Sequence, residues 1–194
     1  MEIIGHRGAM GLATENSLDG ISKALSFKAD VIELDVRMQT GILVLSHDPI
    51  IKTQVYCPLA QALNQVNGKA PLNLEIKESR VVSHLKKALE GYKGDIIFSS
   101  FKYRILQDIK KVFPDAEIAN IEKWSGIRAV TEATLLNTKR VHINEKWLWS
   151  GFVHSMNKQG FKLYAYTVNS PERAKELEDW GVVGIFTDYP DRFQ

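Results

Sequence analysis

The chain has 194 residues, enough for one domain with a sizeable core, and its 44% hydrophobic and 25% charged composition reads as an ordinary soluble globular protein. A formal net charge of only +2, with Lys and Arg spread along the chain, excludes the dense basic footprint of a nucleic-acid binder. No apolar run reaches the ~20 residues of a membrane-spanning helix, Met1 to His6 lacks the regions of a signal peptide, and the single Cys57 rules out an intramolecular disulfide; together these point to a cytoplasmic protein with no transmembrane segment.

Strand-like runs alternate with helical patterns along the whole chain. Strands are predicted at Ile3–Gly5, Val31–Arg37, Leu72–Ile76, Asp95–Ser99, Glu117–Ile121, Arg140–Ile143, Lys162–Thr167 and Gly184–Thr187. Helices are predicted from Leu18 to Phe27, Arg80 to Tyr92, Tyr103 to Phe113, Ile127 to Leu136, Gly151 to Gln159 and Pro171 to Trp180. Val81, Val82, Leu85, Ala88 and Leu89 fall at helical spacing, and Ser170-Pro171-Glu172 supplies a cap residue followed by Pro at the first helical position. Leu43 to Asp48 reads as an extra extended element after the second strand. Strands alternating with helices argue for an α/β fold with a parallel sheet. A (β/α)₈ TIM barrel is its natural closure, compact at this length, with an open doubly wound sheet as the rival. No linker, charge block or repeat divides the chain, so residues 1–194 are read as a single domain.

Glu33 and Asp35 lie two apart in Val-Ile-Glu-Leu-Asp-Val-Arg, so on a strand they face the same way, while Ile32, Leu34 and Val36 face the other. Two carboxylates projecting together from an apolar strand repel and desolvate unless they are paired or bound to a cation. The pattern recurs in Leu-Asn-Leu-Glu-Ile-Lys, where Glu75 and Lys77 share a face. For either pair alone, strand-end charges satisfied by Lys or Arg are an equal alternative. Both pairs together, near the ends of consecutive core strands, favour a site for a hard divalent cation, Mg²⁺ or Ca²⁺. His6 and Arg7 end the first strand between Gly5 and Gly8, which allow a close turn. The histidine can exchange a proton near neutrality and the arginine can hold a phosphate. His47 has Asp48 beside it to fix its tautomer. His84, His142 and His154 lack such company and receive no role.

These motifs resemble, in order and over nearly the whole chain, those of the glycerophosphodiester phosphodiesterase family. His6-Arg7-Gly8 is similar to its HRG signature, Glu15-Asn16 to its PEN element and Glu33-Leu34-Asp35-Val36 to its ELDV strand. His47-Asp48 resembles its HD pair and Leu74-Glu75-Ile76-Lys77 its EIK strand. Ser99-Ser100-Phe101 falls where the family has SSF, Thr167-Val168-Asn169 matches the end of WTVN, and Gly184 to Pro190 its GIxTDxP close. The resemblance implies a barrel that hydrolyses glycerophosphodiesters to sn-glycerol 3-phosphate and an alcohol. It implies a divalent metal on Glu33, Asp35 and Glu75, His6 and His47 as the acid/base pair, and Arg7 and Lys77 on the phosphate. Glu15 would support them by binding Arg7 or a histidine, with Tyr166 and Asn169 in the same supporting shell or substrate rim.

The chain departs from the family pattern at Thr14, Tyr166 and Val183, where Pro, Trp and Asp are usual. More consequential is the stretch from Pro49 to Ala70, a shortened insertion after the second strand where family members carry a longer segment over the site. Phe101, Tyr103, Trp124, Trp147, Trp149 and Tyr166 cluster at predicted strand C-termini, either as an apolar rim for a choline-like head group or lipid chain or as helix-to-barrel packing. A small-molecule glycerophosphodiester is the expected substrate. The alternatives are a lysophospholipase D-type enzyme acting on a lysophospholipid, a barrel that binds a phosphoryl ligand without turning it over, and a metal-dependent lyase or isomerase.

Overall fold

A computed structural model describes every residue from Met1 to Gln194. The strands are β1 (Glu2–Gly5), β2 (Val31–Gln39), β3 (Ile42–Leu45), β4 (Leu72–Ile76), β5 (Ile96–Ser100), β6 (Glu117–Glu122), β7 (Arg140–Asn144), β8 (Lys162–Tyr166) and β9 (Gly184–Thr187). All but β3 run parallel, each hydrogen-bonded to the next. β1 pairs with both β9 and β2, which closes the sheet into the expected (β/α)₈ barrel. The β1–β2 seam is short, with only Ile4 opposite Val31 and Gly5 opposite Ile32.

Outside the barrel lie α1 (Leu18–Ser26), α2 (Leu59–Val66), α3 (Val82–Ala88), α4 (Tyr103–Val112), α5 (Gly126–Leu135), α6 (Ser150–Lys158) and α7 (Pro171–Trp180). Where an eighth helix would follow β9, the chain makes one 3₁₀ turn, Pro190–Phe193. No helix is long and apolar enough to cross a membrane. The predicted start of α7 holds: the Ser170 hydroxyl accepts the Arg173 N–H at 3.2 Å and Pro171 opens the helix, a cap worth about 1 kcal/mol.

The segment from Pro49 to Ala70 holds an eight-residue helix, Leu59–Val66, for which the sequence motifs give no expectation. β3 folds back antiparallel on β2, and α2 buries Leu59, Ala62, Leu63 and Val66 against the helical layer. Their spacing of three and four residues is the helical signature. The short segment is therefore spent on the barrel's own second helix, leaving only a loop to stand over the mouth.

Alternation along each strand sorts the core. Ile32, Leu34 and Val36 of β2 and Leu72, Leu74 and Ile76 of β4 face outward into the layer under the helices. Ile4, Val31, Ile97, Ala119, Tyr164 and Phe186 fill the barrel's inside. At its N-terminal end Arg140 donates to Glu2 at 2.7 Å and to the Tyr164 hydroxyl at 2.9 Å, a buried polar floor. The interior is thus packed and plugged below, which leaves the strand C-termini as the end where the barrel's inside can open to a ligand.

Candidate active site at the barrel mouth

Strand register assembles the acidic cluster. Asp35 on β2 lies opposite Glu75 on the neighbouring β4, and Glu33 precedes Asp35 on the same inner face. Ligand oxygens of Glu33, Asp35 and Glu75 lie within 4.8 Å of one another. Glu33 and Asp35 are only 3% and 1% exposed, so water compensates little of their charge.

Two cations share this space. The Lys77 ammonium donates to Glu75 at 2.5 Å and lies 3.2 Å from Asp35. The Arg7 guanidinium pairs with Glu15, one of the two kinds of partner, Arg7 or a histidine, expected for that carboxylate, and its Nε lies 3.4 Å from Asp35. Arg7 itself sits at φ 50, a left-handed turn that points its backbone N–H at Glu33, 2.7 Å away. Gly8 follows at φ +88, where a Cβ would come within 2.7 Å of the Gly20 backbone, so the turn tolerates no side chain there.

The protonation pattern follows from this geometry. Burial, together with the neighbouring Asp35 and Glu75 carboxylates, holds Glu33 well above the usual carboxylate range. Burial and Asp35 push Glu75 up to about 7, against the pull of Lys77. Asp35 is held low: burial works against its charge, but Lys77, the Asn16 amide and Arg7 outweigh it. Lys77 is raised, because its two carboxylate partners outweigh its burial.

Three carboxylates facing two cations leave one negative charge uncompensated, and Glu33 has only a backbone N–H for support. Such a group either keeps a proton or takes a cation. Hard carboxylate oxygens converging from two adjacent strands suit Mg²⁺ or Ca²⁺, so the residues present fit the divalent ion implied by the sequence.

The two histidines stand beside the cluster with matched arrangements. His6 Nδ1 lies 2.7 Å from Asp188 Oδ1. Asp188 is held low, since its hydrogen bonds from His6 and Asn169 outweigh its burial. An ionised carboxylate only accepts, so Nδ1 carries the hydrogen and Nε2 is left to act as acceptor in the neutral ring. Asn169 fixes this aspartate, donating to Oδ2 at 2.7 Å while its own carbonyl accepts the Asp188 N–H at 2.9 Å. His47 Nδ1 lies 2.9 Å from Asp48, and Arg37 donates twice to the His47 carbonyl, tying this more exposed loop to β2.

Two residues in quoted motifs turn out to hold the site although the sequence reading gave them no role. Asn16, buried, donates to Asp35 Oδ2 and accepts the Asp35 N–H, each at 2.9 Å. Asp188 orients His6. Their positions within Glu15-Asn16 and Thr187-Asp188 were the available signal. His142, given no role, is buried in the barrel beneath the cluster. Its Nε2 accepts from Arg140 at 3.2 Å, and burial keeps the ring well below its ordinary range and hence neutral. His84 and His154 are exposed on helices.

Tyr166 lies across the mouth from Asp35. Its hydroxyl donates to the Glu122 carbonyl at 2.9 Å, and its ring meets Phe101 edge-on at 6.1 Å. Burial, then Glu75 and Glu122, raise its phenol. A cavity of about 30 Å³ runs inward between His6, Glu33, Glu75, Phe101, His142 and Tyr166. That is room for a water or two, so a phosphodiester must sit above it, at the open mouth.

A family model described as the glycerophosphoryl diester phosphodiesterase family matches residues 6–67 and 64–192 of this chain. A glycerophosphodiester phosphodiesterase of Bacillus subtilis is 24% identical over 98% of this chain and 84% of its own length. A lysophospholipase D of Mus musculus is 26% identical over 82% of this chain and 45% of its own. The fold is similar to that of an Oleispira antarctica phosphodiesterase solved in complex with the product sn-glycerol-3-phosphate, with a TM-score of 0.93 at 23% identity, covering 100% of this chain and 95% of that one.

Proposed function

The chain belongs to the glycerophosphoryl diester phosphodiesterase family, and on that premise we propose that it hydrolyses glycerophosphodiesters to sn-glycerol 3-phosphate and an alcohol. The observation that carries this reading is the convergence of Glu33, Asp35 and Glu75 within 4.8 Å, flanked by Arg7, Lys77 and an Asp188-oriented His6. Carboxylates able to hold a cation, two cationic side chains for a phosphate and a proton-transfer group are thereby brought together at one mouth, which suits phosphodiester cleavage.

Glu33, Asp35 and Glu75 would hold Mg²⁺ or Ca²⁺, which when bound supplies Lewis-acid charge to the phosphoryl oxygens. Arg7 and Lys77 bind the phosphate and neutralise the charge that builds on it. Glu15 keeps the Arg7 guanidinium aimed, and Asn16 does the same for Asp35. The substrate's own neighbouring hydroxyl attacks phosphorus. One histidine takes its proton while the other protonates the departing alkoxide, and the two exchange roles when water opens the cyclic phosphate. His6 is the better oriented of the pair, because Asp188 and Asn169 fix its ring.

A second reading, a lysophospholipase D-type reaction on the same barrel, is favoured by the open loop after β3 and by the exposed aromatic side of the mouth. A barrel that only binds its phosphoryl ligand would need neither oriented histidine.

The test is metal-stripped protein given glycerophosphodiesters and lysophospholipids in parallel, with Mg²⁺, Ca²⁺ or Mn²⁺ restored separately. Cation-dependent release of glycerol 3-phosphate is the expected result. His6→Ala and His47→Ala should each lower turnover roughly 10²–10⁴-fold. Turnover near wild type in either variant removes that histidine from the mechanism.

A further inference from the structure

The segments after β6 and β7, including the first turn of α5, lie at the same end of the barrel as the site and carry largely exposed apolar side chains. Trp124 is 63% exposed, Ile127 83%, Trp147 48% and Trp149 62%. At roughly 200 Å² per indole, the three tryptophans alone expose on the order of 300 Å², the size of the largest patch on an ordinary monomer and commonly a working surface.

The patch is built. Trp124 and Trp147 meet edge-on with ring centroids 6.4 Å apart. Between Trp147 and Trp149, Leu148 turns inward and is 5% exposed, anchoring the loop so that the flanking indoles face out. The Trp149 ring lies over Gly151, where a Cβ would come within 2.2 Å of it, and Gly126 admits the Phe152 ring just as closely, at 2.5 Å. The second of these contacts sets the two segments side by side.

The charges around the patch separate one occupant from the others. Arg128 is satisfied by Glu122 and Glu132, and Glu145 by Arg173. Lys123, with its ammonium 4.8 Å from the Trp124 ring centroid, and Lys146 have no carboxylate partner. These two ammonium groups, each next in sequence to an exposed indole, are the cations beside the patch that are free to meet an outside charge. Indoles flanked by free ammonium groups suit the headgroup level of an anionic lipid layer, which takes the rings at its apolar boundary and the cations at its phosphates. A second copy meeting the same face would set these lysines against their own counterparts.

We propose that Trp124, Ile127, Trp147 and Trp149, with Lys123 and Lys146, dock the barrel mouth on the surface of an anionic phospholipid bilayer. Docked this way, the protein turns its strand C-termini toward the lipid, and a headgroup phosphodiester reaches His6 and His47 without leaving the surface. That last consequence rests on the phosphodiesterase reading; the docking does not.

The test uses His6→Ala protein, so that vesicles survive the measurement. It should co-sediment with vesicles containing phosphatidylglycerol at low salt, shift its tryptophan emission to the blue, and bind pure phosphatidylcholine vesicles less. Adding Trp124→Ser and Trp149→Ser should weaken binding at least tenfold. The same pair in the otherwise wild-type chain should leave turnover of a soluble glycerophosphodiester and the circular dichroism unchanged. Should the tryptophan variant fold poorly, Lys123→Glu with Lys146→Glu should weaken binding and flatten its salt dependence. Equal binding by a folded variant, no binding to anionic vesicles, or a dimer abolished by the same substitutions overturns the proposal. Vesicle binding that persists in a wild-type protein without phosphodiesterase activity supports the docking while removing the reading of the site.

Discussion

The two sides of the barrel mouth are built from the same repeating unit and are chemically opposite. Around one inner layer, strand register sets Asp35 opposite Glu75, Glu75 opposite Ser99 and Ser99 opposite Ala119. Within four neighbouring strands the wall passes from two carboxylates through a hydroxyl to a methyl group. The side formed by β1, β2, β4 and β9 holds every charge of the candidate site. The side formed by β5, β6, β7 and β8 presents Phe101, Ile121 and Tyr166. A charged wall facing an apolar one lowers the local dielectric and strengthens each interaction the charges make, and it also explains why Glu33 and Glu75 resist ionisation when no cation is bound.

The largest effect should come from breaking the charged side. Glu75→Gln keeps the shape and removes one of the three carboxylates. It should lower kcat/KM on a soluble glycerophosphodiester by roughly 10³-fold, about 4 kcal/mol, and weaken Mg²⁺ or Ca²⁺ binding in a titration. Ser99→Ala, one strand further round the same layer, should stay within about tenfold. Equal losses in the two variants would mean that the layer is not divided as its register implies.

The charged side also makes stability depend on pH in an unusual direction. In cation-free protein the Glu75 carboxyl titrates at about 7 against an ordinary value of 4.5. Between those values the folded state holds a proton that the unfolded chain releases, so stability falls as pH rises through this window, by on the order of 3 kcal/mol at most. Glu33 is raised too and acts in the same direction. Asp35 and Asp188 are shifted down and contribute stability that is lost only as pH falls below their ordinary 3.8. Urea midpoints in EDTA should therefore decline from pH 5 to pH 8, and saturating divalent cation should remove the decline by taking the place of the proton. A flat profile in EDTA would show that Arg7 and Lys77 already compensate all three carboxylates.

Much of the charged side was legible in the sequence, because its signal is local. Carboxylates two apart on an apolar strand share a face whatever the rest of the chain does, and Glu75-x-Lys77 repeats the pattern. What closes around them is not local. Asn16 reaches Asp35 across 19 positions and Asp188 reaches His6 across 182, pairings that exist only once the barrel has closed. The aromatic side was ambiguous for a related reason. A ring at a strand's end can turn inward or outward with one step of register, and Phe101 and Tyr166 turn in while Trp124 and Trp149 turn out. The helix α2 is a different case, since Leu59, Ala62, Leu63 and Val66 carried its period openly, behind a proline that reads as a loop.

The apolar side yields the smallest expected effect. The Tyr166 ring packs against Phe101 and Phe186, and its hydroxyl is spent on the Glu122 carbonyl, a backbone group at the end of β6 on the same wall. Tyr166→Phe leaves the ring in place and removes one hydrogen bond, at about 1 kcal/mol of stability, read from the urea midpoint. Turnover should change by no more than about threefold, a shift of well under 1 kcal/mol. The phenol is raised by burial and by nearby Glu75 and Glu122, so it stays protonated and cannot serve as a base near neutrality. If the variant instead lost a hundredfold in kcat with KM unchanged, the hydroxyl would be releasing Glu122 to engage substrate, and the division into a reacting wall and a shaping wall would have to be redrawn through β8.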